Sequence, residues 1–471
     1  YLNEKPLDLS ARELGLLEIL VQRAGRLVSK DQLVERLCEW GEEVSTNAIE
    51  VYVHRLRKKL EPPVKPVIPA GLDPCAIPTD VLRDYVLATE NPVFSKDATK
   101  VSMSSDEEFH ERLASLEENI RHFGSNNWTI APSRTTTGRP ILANDPHRAH
   151  GVPSLRYIAH LSAPGLDVIG AGEPALPGIS IGHNGTIAFG LTIFSIDQED
   201  LYVYELDPAN RDRYRYKDGY EELRTVSEDV QVKGEAARKV DLKFTRHGPV
   251  IYIDEQNNRA YAMRATWFEP GASAYFGSTA YMKAKNWPEF RKAMETWGAP
   301  SENQVYADVK GNIGWAAGGH TPIRPNWDGL LPVPGDGRYE WAGLRSGAEL
   351  PAVLNPKDGY FATANEMNIP DGHPSLDKKI GFEWSNPSRI NRIKEVFAGR
   401  PKWSLADAMA LQADDTSTVG RRIAKLLQPL SSDDAQVATG LKLVKGWDGR
   451  TSIDSAAAAV AEVWVMKHLG P

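Results

Sequence analysis

Three strand–turn–strand patterns between residues 127 and 319 limit what this chain can become. The first runs NWTIAPS, then the turn-prone TTTGR, then PILAND. The second is ISIGHNGTIAFGLT, centred on Asn184-Gly185. An Asn-Gly pair accepts the positive φ angles that a two-residue hairpin turn requires. The third is YADVKGNIGWAAGG, turning at Lys310-Gly311-Asn312. Further strand-like runs are DLYVYEL, KVDLKFTRHGPVIYID and RAYAMRATWF. Helical patterns flank them. Overlapping capping boxes, Ser104 with Glu107 and Ser105 with Glu108, precede Phe109, Leu113, Leu116, Ile120 and Phe123 at alternating helical spacing. Other helices are expected over 286–297 and across 404–470. Antiparallel strands in the middle with helices before and after give an α+β class with a layered sheet core.

The 471 residues suggest two to four domains. A net charge of −8 argues against the whole chain binding a polyanion. Cys38 and Cys75 supply neither a disulfide framework nor a cysteine metal cluster. No apolar run reaches the roughly 18–20 residues that span a bilayer. The most apolar segment, AAAAVAEVWVM at 456–466, is too short and carries Glu462. The chain starts at Tyr1 with no secretory signal pattern, so a fragment or a mature form is expected.

Residues 1–60 read as three short helices. Ser10 with Glu13 and Ser29 with Gln32 are capping boxes, and Asn47 with Glu50 starts a third helix. That helix carries Ile49, Val53, Leu56 and Leu60 on one stripe and His54, Arg55, Arg57, Lys58 and Lys59 on the other. Residues 6–60 resemble the winged-helix DNA-binding domain of OmpR/PhoB-type response regulators. The resemblance implies that helix 47–60 enters a major groove, with Asn47, Val51, His54, Arg55, Arg57 and Lys58 facing bases or phosphates. The wing hairpin of that family is replaced by EPPVKPVIPAG. Acidic and basic residues balance, ten each over 1–60, so DNA affinity would come from the clustered face alone. Six prolines between 61 and 80 have linker composition, and a linker is expected over 61–82.

The remaining chemistry centres on GSNNW at 124–128. A serine at such a helix–strand junction could be a turn residue only. As a nucleophile it needs a base, and no G-x-S-x-G elbow surrounds Ser125. If the Gly124–Ser125 bond were cut, the new α-amine, with a reference pKa near 8, would be a base adjoining its own hydroxyl.

From 125 onward the chain resembles the penicillin amidase family of N-terminal nucleophile hydrolases. The resemblance rests on GSNNW (124–128), ILANDPH (141–147), PGISIGHNGTIAFGLT (177–192), DQEDLY (197–202), RHGPV (246–250), MKAKNW (282–287), YADVKGNIGW (306–315), LPVPGDGRYEW (331–341) and KGWDG (445–449). It implies an αββα sandwich and hydrolysis of a small N-acyl amide through an acyl-enzyme. Residues 83–124 would be the remnant of the α segment and 125–471 the β segment, forming an α/β heterodimer once processed. Both ends would be shorter than in the family. Gly124 and Ser125 would be the autocleavage site. Ser125 would be the nucleophile, His147 its orienting partner, and the Ile193 backbone N–H with the Asn303 side chain the oxyanion hole. Arg324 would hold Asn303 and the amine. Asp197 and Asp200 would bind a structural Ca²⁺, a hard cation suited to carboxylate oxygens; catalysis itself would need no cofactor. A periplasmic or secreted location goes with this reading. The alternatives are a cytoplasmic winged-helix regulator, or an inactive chimera of the two parts.

Overall fold

The structure, a computed structural model, describes residues 66–89, 124–148, 151–272, 275–345, 347–377 and 380–468, with four isolated positions in the first 33 residues. The expected winged helix, its DNA-facing residues Asn47, Val51, His54, Arg55, Arg57 and Lys58, and the amphipathic helix before Gly124 lie outside the described residues. Val67–Asp414 form one compact unit.

All three hairpins are present. β1 (Gly124–Ile130) pairs antiparallel with β2 (Ile141–His147) in the register Ser125↔Pro146. β3 (Tyr157–Ala163) and β4 (Leu166–Gly172) form a hairpin that was not anticipated. β5 (Ile181–His183) turns into β6 (Ile187–Ile193) through Asn184-Gly185. Gly185 has φ 76°, and Asn184 Oδ1 accepts from the amides of Thr186 and Ile187, each at 3.0 Å. β7 (Glu302–Asp308) and β8 (Ile313–Gly318) close the third hairpin around Gly311. β9 (Ala352–Leu354) and β10 (Tyr360–Thr363) complete the central strands.

These strands make two sheets. One has the order β2-β1-β10, the other β9-β8-β7-β6-β5-β4-β3. The period-2 alternation of each strand assigns its two faces. From β1, Trp128 and Ile130 join Ile141, Ala362, Ile390, Ile393, Phe397 and Trp403 in one apolar cluster. That cluster packs the three-stranded sheet against helices α1 (Ser388–Ala398) and α2 (Leu405–Gln412). From the larger sheet, Ile187, Phe189, Leu191 and Tyr306 join Tyr281, Phe290 and Trp297 of the segment 276–297. Val305, Trp315 and Ala317 point the other way, where Leu142 and Phe361 of the first sheet meet them. The layers therefore run helix, sheet, sheet, helix.

A separate sheet contains Val250–Asp254, Arg259–Ala265, Glu199–Asp207, Asn210–Tyr216 and Gly219–Glu222. The compact unit ends at Asp414, inside the stretch 125–471 read as a single segment. Thr418–Leu427, Ala435–Lys445 and Ala456–His468 are helices of another unit. They bury their own cluster of Ile423, Ala424, Val444, Trp447, Ala458 and Ala461. Among the described residues no helix is long and apolar enough to cross a membrane.

Candidate active site

The inner faces of the two sheets meet through hydroxyls and amides just below Ser125. Thr363 Oγ1 donates to Asn127 Oδ1 at 2.7 Å, and the Thr192 and Thr363 hydroxyls bond each other at 2.7 Å. Ser125 lies on this inner face and is 1% exposed. A buried hydroxyl must find polar partners, and it finds Asn365. Asn365 Nδ2 donates to Ser125 Oγ at 3.3 Å, and Asn365 Oδ1 accepts from the Ser125 backbone N at 2.8 Å. Arg389, on the first turn of α1, fixes this arrangement. Its Nη2 donates to Asn365 Oδ1 at 2.9 Å, and its Nη1 donates to the Ser125 carbonyl at 3.0 Å and to Asn126 Oδ1 at 2.9 Å. A guanidinium facing three oxygens is a rigid positional clamp.

Asn365 itself is held at the end of β10 with φ 67°. Asparagine is among the few non-glycine residues that tolerate the left-handed region. The Glu366 carboxylate accepts from the Ala364 amide at 2.7 Å and closes the turn. Gly124, one residue before the serine, has little room beside it. A methyl group there would sit 3.0 Å from Arg389 Nη2 and 3.2 Å from Asn365 Oδ1.

The expected residues divide. His147 lies in β2 opposite Gly124 in register. Its Nε2 is 3.3 Å from Asn126 Nδ2 and 3.1 Å from Asp145 Oδ2. Arg389 already claims the oxygen of the Asn126 amide, so its NH₂ end faces the imidazole. Nε2 accepts from Asn126 when it carries no hydrogen and donates to Asp145 when it carries one, so the two contacts belong to different tautomers. Among the described residues no hydrogen bond joins His147 to Ser125. The Ile193 carbonyl accepts from Asn365 Nδ2 and from Asn303 Nδ2, both at 3.0 Å.

Asn303 does not occupy the expected place. Its Oδ1 accepts from Trp315 Nε1 and from Asn368 Nδ2, both at 2.8 Å. The amide thus bonds Ile193 and two side chains around it, while Asn365 reaches the serine. Arg324 is also elsewhere. Its Nε donates to Asp200 Oδ2 at 2.8 Å, its Nη2 is 3.2 Å from Asp197 Oδ2, and the same Nη2 donates to the Glu199 carbonyl at 3.1 Å. The resemblance assigned Arg324 to Asn303 and the amine; beside Ser125 it is Arg389 that bonds an asparagine, Asn365, together with the Ser125 carbonyl.

This placement bears on calcium. Asp200 also accepts from Trp327 Nε1 at 3.1 Å and Trp341 Nε1 at 2.6 Å. Its oxygens and those of Asp197 face N–H donors rather than a common cavity. Burial pushes the Asp197 carboxyl up to about 7, against the pull of Arg324. Among the described residues no group of three or more His, Cys, Asp or Glu could hold a metal ion. The donor set does not fit calcium: a guanidinium takes the cation's position.

Glu302, next to Asn303, is fully buried, and among the described residues its Oε2 has no hydrogen-bond partner. Burial pushes its carboxyl up to about 8, opposed by Arg148 and Arg156. The unfolded chain releases this proton near pH 4.3, so between there and pH 8 the native state binds the extra proton. Stability must then fall as pH rises across that window. The non-titrating Glu302→Gln variant should lack this term. Urea midpoints from pH 5 to 8 should show a parent slope that is steeper by up to about 1.4 kcal/mol per pH unit. Parallel profiles would refute the assignment.

A family model described as penicillin amidase matches residues 26–470. The chain belongs to the penicillin amidase family. It is 34% identical over 339 residues to the penicillin acylase 2 proenzyme of Pseudomonas sp. (strain SE83), covering 71% of this chain and 43% of that protein. It is 29% identical over 358 residues to penicillin G acylase of Escherichia coli, covering 73% and 42%. It is 28% identical over 372 residues to the acyl-homoserine lactone acylase QuiP of Pseudomonas fluorescens (strain Pf0-1), covering 73% and 44%. The solved thermostable penicillin G acylase from Alcaligenes faecalis superposes with TM-score 0.62 at 28% identity, covering 70% of this chain and 60% of that one. The chain spans less than half the length of the curated relatives it matches. The family match begins inside the stretch that resembles a winged helix.

Proposed function

We propose that the chain is an amidohydrolase of small N-acyl amides, with Ser125 as a nucleophile freed by cleavage after Gly124. The observation that carries this reading is the Ser125 N to Asn365 Oδ1 bond of 2.8 Å inside a buried clamp. Cleavage would turn that nitrogen into an α-amine. Asn365 Oδ1 would then accept one of its hydrogens and aim its lone pair at the neighbouring hydroxyl. An amine with a pKa near 8 is a competent base at neutral pH. Ser125 Oγ would attack the substrate's acyl carbon, and Asn365 Nδ2 would stabilise the oxyanion, with the Ile193 N–H as its expected partner. Such a donor is typically worth about 3–4 kcal/mol in the transition state. Arg389 would keep the asparagine in register. The helix–sheet–sheet–helix layering supports the N-terminal nucleophile reading. Substrates are proposed to be of the kind named by the relatives, penicillins and acyl-homoserine lactones.

Intact-mass measurement of the expressed chain tests this. Fragments 1–124 and 125–471 are expected, together with hydrolysis of N-acyl nitroanilides. Both should be lost in Ser125→Ala. A single uncut species without amidase activity would refute the proposal.

A further inference from the structure

The scissile carbonyl has a partner of its own. Arg148 Nη1 donates to the Gly124 carbonyl oxygen at 3.2 Å and to the His147 carbonyl at 2.8 Å. The two carbonyls flanking Ser125 are therefore held by different guanidinium groups, Arg148 before it and Arg389 after it. We propose that Arg148 polarises the Gly124 carbonyl and stabilises the oxyanion formed on it while the chain cuts itself. This inference rests on the reading of Ser125 as a self-released nucleophile, and it adds an electrophile for that single turnover.

The step balances as an N-to-O acyl shift. Ser125 Oγ bonds to the Gly124 carbonyl carbon as the C=O π pair moves onto the oxygen facing Arg148. The hydroxyl proton passes to the Ser125 nitrogen. Collapse of the intermediate breaks the C–N bond, and its electron pair leaves on that nitrogen as the amine. The product is an ester between Gly124 and Ser125 Oγ. Water, the co-reactant, then adds to the ester carbonyl, the C–Oγ bond breaks, and Oγ regains a proton. Gly124 departs as a carboxylate.

The surroundings favour an internal electrophile. Gly124 and Ser125 are both buried, so bulk water cannot solvate a charge developing there, and in a water-poor site a preorganised cation acts strongly. Asn365 Oδ1 already accepts from the nitrogen that must become the leaving amine. Glu302, whose electrostatic partners include Arg148, stays protonated up to about pH 8 and so does not offset the guanidinium charge at neutral pH. Arg389 and Asn365 contact atoms that remain with Ser125 after cleavage. Arg148 contacts the one oxygen that departs with residues 1–124.

The test follows maturation of the full chain after cell-free synthesis, by intact mass. The parent is expected to convert to 1–124 and 125–471. Arg148→Met should slow this on the order of 10²-fold, the usual loss of one oxyanion donor, and Arg148→Lys should recover part of the rate. Millimolar methylguanidinium should accelerate Arg148→Ala, which a purely structural role would not allow. Maturation of Arg148→Met within threefold of the parent overturns the inference and leaves the reading of Ser125 standing. So does an Arg148→Ala chain that keeps the parent's near-UV circular dichroism yet ignores methylguanidinium. If Arg148→Met loses that spectrum, an Arg148→Lys chain maturing no faster than it also overturns the inference. A parent that never cuts at 124–125 removes the reading itself and the inference with it.

Discussion

Asn365→Ala should lower kcat/KM toward an N-acyl nitroanilide by at least about 10³-fold per chain bearing a free Ser125 amine. The substitution removes two functions at once. Oδ1 is the acceptor for the Ser125 nitrogen, and Nδ2 is the donor nearest the nucleophile, 3.3 Å from Oγ. Loss of an oxyanion donor alone costs about 10²–10³ in rate, and a mis-set base adds to that. Asn365→Asp separates the two: it keeps an acceptor for the amine but deletes the donor, and its negative charge would face the Ile193 carbonyl. It should therefore be nearly as slow in kcat while binding substrate normally. Asn303→Ala is the control. Its amide contacts Ile193, Trp315 and Asn368 rather than Ser125, so its cost should fall on stability, about 1–3 kcal/mol for the stranded partners. Free amines are counted by N-terminal labelling and rates normalised to that count. If Asn303→Ala loses as much kcat/KM as Asn365→Ala, the assignment of roles is reversed.

What could be read from the residues follows from range. Asn184-Gly185 and Lys310-Gly311-Asn312 specify hairpins locally, and both form as expected. Ser125 is marked by its neighbours, and the structure places it on a buried inner face. The exchange of Asn303 for Asn365 has a different cause. Both asparagines donate to the same Ile193 carbonyl, so the two positions are adjacent in space but far apart in the chain. Which one reaches Ser125 depends on β1 pairing with β10, in the register Asn127↔Thr363, and pairing across more than two hundred residues leaves no local trace. Arg389 was more accessible. Ile390, Ile393 and Phe397 recur at helical spacing and pack beneath the β1 sheet, which marks α1 and puts Arg389 at its start. The β3–β4 hairpin was likewise signalled by Pro164-Gly165, with Gly165 at φ 78°. Arg324 was misplaced because an arginine in a proline-rich loop says nothing of its partner. Only the fold shows two carboxylates waiting for it.

Arg324→Met should destabilise the unit by about 3 kcal/mol at pH 8, near the lower end of the 3–5 kcal/mol expected when one partner of a buried ion pair is removed. The Arg324 side chain is 6% exposed and that of Asp200 1%, so little solvent is available to replace the guanidinium. The indole N–H groups of Trp327 and Trp341 still hold Asp200, which keeps the cost from the upper end. The cost should also depend on pH in a definite direction. Burial already raises the Asp197 carboxyl to about 7 with Arg324 beside it, and removing the cation must raise it further. At pH 5 Asp197 is mostly protonated and needs no partner, so the difference between parent and variant should shrink there and grow toward pH 8. Urea midpoints at the two pH values measure it. A second arm separates this account from a calcium site at the same carboxylates. In the parent, neither EDTA nor millimolar calcium should move Tm by more than about 1 °C, because the oxygens are already bonded to N–H donors. A bound ion would reveal itself by mass action, since a ligand at 100 times its Kd adds about 2.7 kcal/mol. A fall of several degrees with EDTA would therefore show that calcium, not Arg324, neutralises Asp197 and Asp200.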